Sequence, residues 1–411
     1  MGTVEHRPYE TERHREAADR IRGEVGWLEP GREEAWERYT LCGRARVVEV
    51  DGSAECLASS APGTIRYLER ELPFACVTAV MTSRVARKQG LAQAATARLI
   101  AEDAAAGALV AGLGIFEQGF YDRLGFGTSA YHHSVSFDPA HLKVRGRPRP
   151  PQRVTVEDFE AAHAARLARR RSHGSCNLTP PEVTWFEMGH ESGFGLGYFD
   201  GPHGEPSHYL WCSAQGEHGP YSVRWSVFRS PEQFVELMGV LRVLGDQVRL
   251  VRLQEPPGIQ LQDVLTHPLR DRIARQGSRF EAGVRSGAYY QFRVLDVPGC
   301  LAGTSLPGSE VVRFSLELAD PVEGFLPPES PWRGVAGQYV VTLGPSSGAE
   351  RGHEAALPTL TATVGAFTRL WLGVRPATGL SFTDELSGPP ELLARLDEVL
   401  RLPPPVPDWD F

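Results

Sequence analysis

A basic loop between an apolar strand and an alanine-rich helix carries the clearest chemistry in this sequence. Arg87 and Lys88 supply positive charge, and Gly90 stands directly before the helix, where a residue without a side chain lets a ligand approach the backbone. Because the first N–H groups of a helix have no partner within it, such a loop can hold a pyrophosphate. Small Ala92 in the first helical turn leaves room for the phosphates. An ordinary basic loop is the alternative, since a six-residue pattern is a weak signal.

The composition gives little support to metal or nucleic-acid chemistry. The six cysteines are isolated from one another, and no Cys-x-x-Cys pair or zinc-type Cys/His cluster occurs, so neither a metal site nor a disulfide framework is predicted. The formal net charge of −8 argues against nucleic-acid binding and is compatible with cationic partners. No apolar run is long enough to span a bilayer, and the charged N-terminus has no apolar signal core. We therefore expect a cytoplasmic protein, and secretion without a signal peptide stays open.

The elements that must position the basic loop form a strand, loop, helix and strand unit. An apolar strand is predicted over 74–82, an alanine-rich helix over 91–106 and a second apolar strand over 109–116. Alternating residues predict a further strand over 129–137. We therefore expect an α+β, that is, mixed α/β, fold around this unit.

The length of the chain and a proline-rich segment within it predict more than one folded unit. With 411 residues the chain is two to three times as long as a domain of about 100–150 residues. A basic, proline-rich segment at 143–151 is typical of a linker, and a strand near 292–297 begins the last third. The chain ends in four prolines between 403 and 407, which favour an extended tail, followed by Trp409 and Phe411.

The basic loop and a second segment together resemble a known family. The spacing Arg-x-x-Gly-x-Ala of the loop is similar to the acetyl-CoA signature of the GNAT acyltransferases, and GFYDRLGF at 119–126 resembles that family's YxxxGF segment. Gln89 stands where the family loop often has another basic residue. Two further sequence segments, at 251–258 and 293–297, and the aromatic C-terminus extend the resemblance over the whole chain. The chain as a whole resembles the enhanced-intracellular-survival (Eis) type of GNAT acetyltransferase.

The resemblance implies three domains and an activity. It implies a GNAT domain with an acetyl-CoA site at 1–142, a second GNAT-like domain without a cofactor loop at 143–290, and a sterol-carrier-like domain at 291–411 whose tail docks in the active site. It also implies an N-acetyltransferase that uses acetyl-CoA and no metal. The acceptor would be a cationic amine, such as an aminoglycoside, a polyamine or a lysine side chain, and the protein would assemble as a homo-hexamer.

The resemblance also implies roles for individual residues. Tyr121 would protonate the CoA thiolate as general acid, and the α-carboxylate of Phe411 would act as general base. Packing among aromatic residues is the alternative for Tyr121, and a frayed chain end is the alternative for the tail. Asp410 would contact the acceptor ammonium or be solvated. The implied cofactor-binding residues are Val80, Met81, Thr82, Arg87, Lys88, Gln89, Gly90, Leu91, Ala92, Gln93, Phe116 and Glu117.

The chemistry of the transfer explains why a base is needed, and a second class of function stays open. An amine with a pKa of ~10.4 is about one part in a thousand neutral near pH 7.4, so accepting its proton assists attack. An α-carboxyl with a pKa of ~3.3–3.7 is a weak base in water, and removal from water would raise that pKa. The alternative is a non-catalytic binding or scaffold protein whose sterol-carrier-like domain holds an apolar ligand. An increase in the thermal stability of the protein with CoA would favour the enzyme. An increase with fatty acids but not with CoA would favour the scaffold.

Overall fold

Three β-sheets with helices packed against them make up the part of the chain that the computed structural model describes, which is residues 3–190, 193–267 and 276–411. This arrangement confirms the mixed α/β class predicted from the sequence. In these three ranges, no helix is both long enough and apolar enough to cross a membrane.

The helices are short, between six and fifteen residues, and most begin or end at glycine, proline or a capping residue. Their bounds are α1 (Thr11–Val25), α2 (Glu33–Leu41), α3 (Leu91–Ala105), α4 (Phe159–Leu167), α5 (Pro181–Met188), α6 (Pro231–Val243), α7 (Val297–Ala302), α8 (Val364–Trp371), α9 (Ala377–Thr383) and α10 (Pro390–Val399).

The first sheet has nine strands among the described residues. They are β1 (Val4–Pro8), β2 (Arg44–Val50), β3 (Ser53–Tyr67), β4 (Arg70–Val77), β5 (Met81–Thr82), β6 (Val110–Gly114), β7 (Gly127–Thr128), β10 (Cys176–Leu178) and β16 (Tyr290–Val294). The order is β1-β2-β3-β4-β6-β16-β7, with β5 and β10 also paired to β3. Only β4 and β6 in this sheet run parallel, and α3 connects them, because a parallel pair needs a crossover.

The second sheet repeats this plan with seven strands in the described ranges. They are β8 (His132–Phe137), β9 (Gln152–Val154), β11 (Phe194–Tyr198), β12 (His208–Ala214), β13 (Tyr221–Val227), β14 (Val251–Gln254) and β15 (Gly283–Gly287), in the order β15-β8-β14-β13-β12-β11-β9. Here β13 and β14 are the parallel pair, and α6 connects them. Leu237, Met238 and Leu241 of α6 are buried against this sheet.

The third sheet is formed by β17 (Val312–Ala319), β18 (Gly337–Leu343), β19 (Gly348–Arg351), β20 (Thr359–Thr363) and β21 (Leu386–Ser387), in the order β19-β18-β17-β20-β21. Its buried residues, such as Phe314 and Leu360, belong to the same apolar core as Phe74 and Phe292 of the first sheet. The sterol-carrier-like assignment of 291–411 stays a prediction, and so does the hexamer.

The sheets exchange strands across the domain limits expected from the sequence. β8 precedes residue 142 and yet pairs with β14 and β15 in the second sheet. β16 begins at residue 290 and lies between β6 and β7 of the first sheet. The local pattern of a strand shows which residues are buried but not which distant edge it pairs with, so these exchanges were not expected. The division into 1–142, 143–290 and 291–411 stays a prediction.

Candidate active site

The parallel strands β4 and β6 separate at their carboxyl ends and leave a cleft in the first sheet. Their pairing ends at Cys76 opposite Gly112. Beyond that point the Thr78 N–H donates to Ser59 O (2.7 Å), which draws one chain toward β3. The Ile115 N–H donates to Tyr289 O (2.8 Å), which draws the other chain toward β16. Beyond Cys76 and Gly112 the two chains stay with these outer neighbours and no longer pair with each other, so a cleft opens between them.

A cavity of about 580 Å³ lies at this cleft. Residues 77–80 form one side of it, and Gly114 and Phe116 lie on the other side. Tyr121, Asp410 and Phe411 also line the cavity. The structure therefore brings together the residues that the resemblance implied for acid, base and acceptor contact, from positions 121 and 410–411 of the chain.

The basic loop lies at the same carboxyl end of β4 and leads into α3. Arg87, Lys88, Gln89 and Gly90 are all exposed. Gly90 has φ +80, a left-handed conformation that favours glycine, and a side chain there would meet no atom within 4 Å. The first bond along α3 runs from Ala94 N–H to Gly90 O (3.1 Å), and no side chain of the described residues caps the helix. The N–H groups of residues 91–93 are therefore available to an anion.

Tyr121 lies in the turn that follows β6 and is 3% exposed. Its ring packs edge-on against Phe120, with 4.8 Å between ring centroids, and against Phe126 at 6.1 Å. It thus packs among aromatic residues and lines the cavity at once. Burial raises the pKa of the Tyr121 hydroxyl above its ordinary value, and Tyr289 adds to this. The hydroxyl therefore keeps its proton at neutral pH.

Two backbone hydrogen bonds attach the C-terminal tail to the segment 173–176. The Val406 N–H donates to His173 O (3.1 Å), and the Cys176 N–H donates to Pro407 O (2.7 Å). Arg169 then binds the Asp408 carboxylate through Nε (3.1 Å) and Nη2 (2.5 Å). A bidentate pair of this kind fixes direction as well as position, so it aims the last three residues.

The last residues of the tail enter the cleft of the first sheet. Trp409 is 1% exposed, and the guanidinium of Arg166 lies 3.6 Å from the centroid of its ring. The Phe411 ring packs against Tyr290 (5.0 Å) and Phe74 (6.0 Å). A Cβ built on Gly114 would overlap a carboxyl oxygen of Phe411. The terminal carboxyl group therefore lies directly against β6, where β4 and β6 separate.

An aromatic wall that the sequence analysis did not predict closes the other side of the cavity. Trp27 and Trp36 are stacked, with centroids 6.1 Å apart, and Phe186 meets Trp36 edge-on at 4.7 Å. Arg32 lies 5.2 Å from the Phe186 ring centroid and donates to Phe186 O (3.2 Å). These contacts join the α1–α2 segment to α5. The only signal in the sequence was a tryptophan in a short segment rich in glycine and proline.

Carboxylates dominate the charge of this cavity. Glu29, Glu187 and Asp410 line it together with the terminal carboxyl of Phe411, whereas Arg224 and His190 are the basic side chains among its described lining. Glu187 is ion-paired with Arg166, and burial raises its pKa. A cavity with tryptophan rings and carboxylates suits a cationic ligand.

The predicted cofactor residues fall into separate groups. Val80 and Phe116 line the cavity, and residues 87–93 form the loop and the start of α3. Met81 instead is buried among apolar residues of α1 and β3, and the Thr82 hydroxyl donates to Cys56 Sγ (3.4 Å).

Glu117, another of the predicted cofactor residues, is exposed and does not line the cavity. Within the described ranges, no three His, Cys, Asp or Glu side chains form a group that could hold a metal ion.

Comparison with solved structures identifies the fold. No protein-family model and no curated protein matches the sequence. A GCN5-related N-acetyltransferase from Anabaena variabilis is similar over 100% of both chains, at 14% identity and a TM-score of 0.79. A probable N-acyltransferase from Enterococcus faecalis V583 is similar over 97% of both chains, at 19% identity and 0.76. Eis1 from Mycobacterium abscessus is similar over 100% of both chains, at 18% identity and 0.75. The whole chain therefore shares the fold of these proteins.

Proposed function

We propose that this chain, which has the fold of GCN5-related N-acetyltransferases, transfers an acetyl group from acetyl-CoA to the amine of a cationic acceptor. The observation that carries the proposal is that Tyr121 and the terminal carboxyl of Phe411 line one cavity. That cavity lies where β4 and β6 separate, at the end of β4 that leads to the basic loop. Residues 121 and 411, which are far apart in the chain, would thereby serve as acid and base at one site.

The residues at the start of α3 suit the coenzyme. The N–H groups of residues 91–93 would hold the pyrophosphate, and Arg87 and Lys88 would add charge beside it. Gly90 has open space where a side chain would stand, so phosphate oxygens can approach the backbone. Val80 and Phe116 would flank the pantetheine arm, which brings the thioester. Bound acetyl-CoA supplies an acetyl group on a sulfur leaving group.

Two proton transfers accompany the step. The amine nitrogen attacks the acetyl carbonyl, the N–C bond forms and the C–S bond breaks. Tyr121 donates its proton to the departing sulfur, which it can do because the hydroxyl is protonated at neutral pH. The proton lost by the amine passes to the Phe411 carboxylate, directly or through one water. The Phe411 ring packs against Tyr290 and Phe74, which holds the terminal residue at the cleft.

The acceptor is held by charge and by aromatic rings. Asp410 and Glu187 would attract its ammonium groups, and Trp27, which is stacked on Trp36 and 40% exposed, offers its outer face to a cation. Aminoglycosides, polyamines and lysine side chains share this cationic chemistry. The amine that reacts must lose its proton first, so the carboxylates would orient the protonated amines and leave one amine for transfer.

The test is release of the CoA thiol in the presence of candidate amines. Wild-type protein should release thiol only when acetyl-CoA and a suitable amine are both present. Tyr121→Phe keeps the ring and removes the hydroxyl, and should lower kcat by about a hundredfold. Tyr131→Phe is the matched control, because Tyr131 is exposed and lies outside the cavity. Unchanged kcat in Tyr121→Phe would refute the acid role. If none of the amines in the panel causes thiol release, the proposed activity is refuted.

A further inference from the structure

A second cavity, of about 480 Å³, opens in the second sheet where its own parallel strands separate. The pairing of β13 with β14 ends at Val223 opposite Leu253. β13 continues to Val227 with β12 on one edge, and no strand of the described ranges pairs with its other edge beyond Val223. Residues 254–257 form the opposite side of this cavity.

Arginine side chains dominate the charge of the second cavity. Arg169, Arg170, Arg224 and Arg252 all line it. Two of its carboxylates already have partners, since Asp408 is held by Arg169 and the Glu255 carboxylate accepts from Leu261 N–H (2.8 Å). The side chain of Arg252 makes no hydrogen bond or ion pair to any described residue. The cavity therefore offers positive charge that the chain itself does not neutralise.

Two polar side-chain atoms of the cavity wall are buried without a partner. They are Gln254 Nε2, an amide donor, and His132 Nδ1. A buried donor without an acceptor costs free energy, so its presence at a cavity indicates a ligand or water that supplies the acceptor. Carboxylate and phosphate oxygens are acceptors of this kind, and they also match the arginines.

The two cavities are neighbours that share part of their lining. Arg224, Trp225, Tyr289 and Asp410 line both of them. The first cavity carries an excess of carboxylates, whereas the second carries an excess of arginines. A molecule that extended from one to the other would thus be cationic at one end and anionic at the other.

A second coenzyme A molecule is a poor match for this cavity. Only residues 228–230 connect β13 to α6, and Arg170 N–H already bonds to Phe228 O (2.7 Å). The Ser230 hydroxyl oxygen accepts a hydrogen bond from Gln233 N–H (3.4 Å), and Pro231 has no N–H. The start of α6 therefore offers fewer free N–H groups to a pyrophosphate than the start of α3 does.

We propose that the second cavity binds a carboxylate or phosphate group of the same acceptor whose amine lies in the first cavity. This inference rests on the proposed acetyl transfer and narrows its acceptor to amines that also carry an anionic group. Arg252 and Gln254 hold the anion, and Asp410 lies at the junction between the two ends. Polycations without an anionic group then make fewer favourable contacts.

The experiment compares three series of acceptors of three to eight carbons in the acetyl-transfer assay. They are ω-amino carboxylates, ω-aminoalkyl phosphates and plain alkylamines of equal length. At the best length, kcat/KM for one anionic series should exceed that of the alkylamine at least tenfold. The series that gains identifies carboxylate or phosphate as the group bound. No advantage at any length overturns the inference and leaves the acetyl transfer itself standing.

Variants connect this preference to the cavity. Arg252→Met should reduce the ratio between anionic and plain amine to less than about threefold, because one charge-assisted contact is lost. Arg229→Met is the matched control, since Arg229 is exposed and lies outside both cavities, and its ratio should equal that of wild type. An unchanged ratio in Arg252→Met overturns the assignment of the anion to this cavity.

A binding measurement separates this inference from the proposed activity. Glutarate and inorganic phosphate have no amine, so calorimetry reports anion binding without transfer. We expect one of them to bind the wild-type protein and Arg229→Met, and to bind Arg252→Met at least tenfold more weakly. If this holds but no amine is acetylated, the anion site stands, and the proposed transfer and its acceptor fail together. If neither anion binds, the inference is overturned.

Discussion

The strand pairs β4–β6 and β13–β14 separate in the same manner, and each leaves a cavity at the carboxyl ends of two parallel strands. The connections to the following helices differ. Residues 78–90 lead from β4 to α3, with a basic loop and a left-handed glycine, whereas residues 228–230 lead from β13 to a helix that begins with proline. Glu232 also places a negative charge in the first turn of α6, while the first turn of α3 has none.

This difference shows that the sheet alone does not decide which cavity can hold a nucleotide. The strands create the opening, but the phosphates need uncapped N–H groups and positive charge at the next helix. The first sheet supplies both, whereas at the start of α6 Ser230 caps one N–H, Pro231 has none, and Glu232 places a negative charge beside Arg229. The C-terminal tail passes between the two cavities and ends in the first, so it makes the two sites still less alike.

The largest expected effect on kcat comes from extending the chain beyond Phe411. A few residues added after Phe411 should lower kcat by at least about a hundredfold, because the carboxyl beside Gly114 would become a peptide bond. The same residues added before Met1 are the control and should leave kcat near that of wild type. Full activity with the C-terminal extension would show that another group, such as Glu187, accepts the proton.

Removal of the Trp409 side chain should have the next largest effect. Trp409→Ala deletes a fully buried indole that contacts Arg166, and should lower the free energy of unfolding by about 3–5 kcal/mol. The measurement is the midpoint of thermal or denaturant unfolding. Trp27→Ala is the control, because Trp27 is 40% exposed and should cost less. Equal losses in the two variants would mean that the tail does not stabilise the junction of the cavities.

A charge reversal in each connection compares the two helices directly. Arg87→Glu should raise the KM for acetyl-CoA about tenfold, since it places a negative charge beside the pyrophosphate. Arg229→Glu, at the matching place in the second sheet, should leave this KM unchanged. The effect of Arg87→Glu should shrink at high salt, because the loop is exposed and its charges are screened. Similar KM values for both variants would contradict the assignment of the coenzyme to the first sheet.

The smallest expected effect concerns pH. A general acid works only while it is protonated, and burial raises the pKa of Tyr121 above the ordinary tyrosine value of about 10. Activity should therefore rise as the acceptor amine loses its proton, with no decline from Tyr121 before pH 10. The profile of kcat between pH 6 and 10 checks this. A decline with an apparent pKa below 10 that disappears in Tyr121→Phe would contradict it.

Local elements were predictable from the sequence, because each is determined by a short pattern. The helix expected at 91–106 is α3 at Leu91–Ala105, since alanine-rich periodicity and Gly90 mark its start. The strand expected at 109–116 is β6 at Val110–Gly114, which begins one residue later and ends two residues earlier. The strand expected at 129–137 exists as β8 but belongs to the second sheet, because edge pairing depends on residues more than a hundred positions away.

The site was predictable only in part, and for a similar reason. Tyr121 and Phe411 were implied by resemblance to a family, and the structure brings them to one cavity. Trp27, Trp36 and Glu187 were missed, because they belong to α1–α2 and α5 and meet only when the first and second sheets pack together. No spacing within either segment indicates that contact.

The position of β16 also bears on how the protein is made. β6 (Val110–Gly114) has β16 as its outer neighbour, and β16 lies about 180 residues later in the chain. While the ribosome is still making the intervening segment, the backbone N–H and C=O groups on this edge of β6 have no partner. Such an edge is a template for pairing with other chains. We therefore expect a fragment that stops at residue 142 to self-associate, and the first sheet to close only after synthesis has passed residue 294.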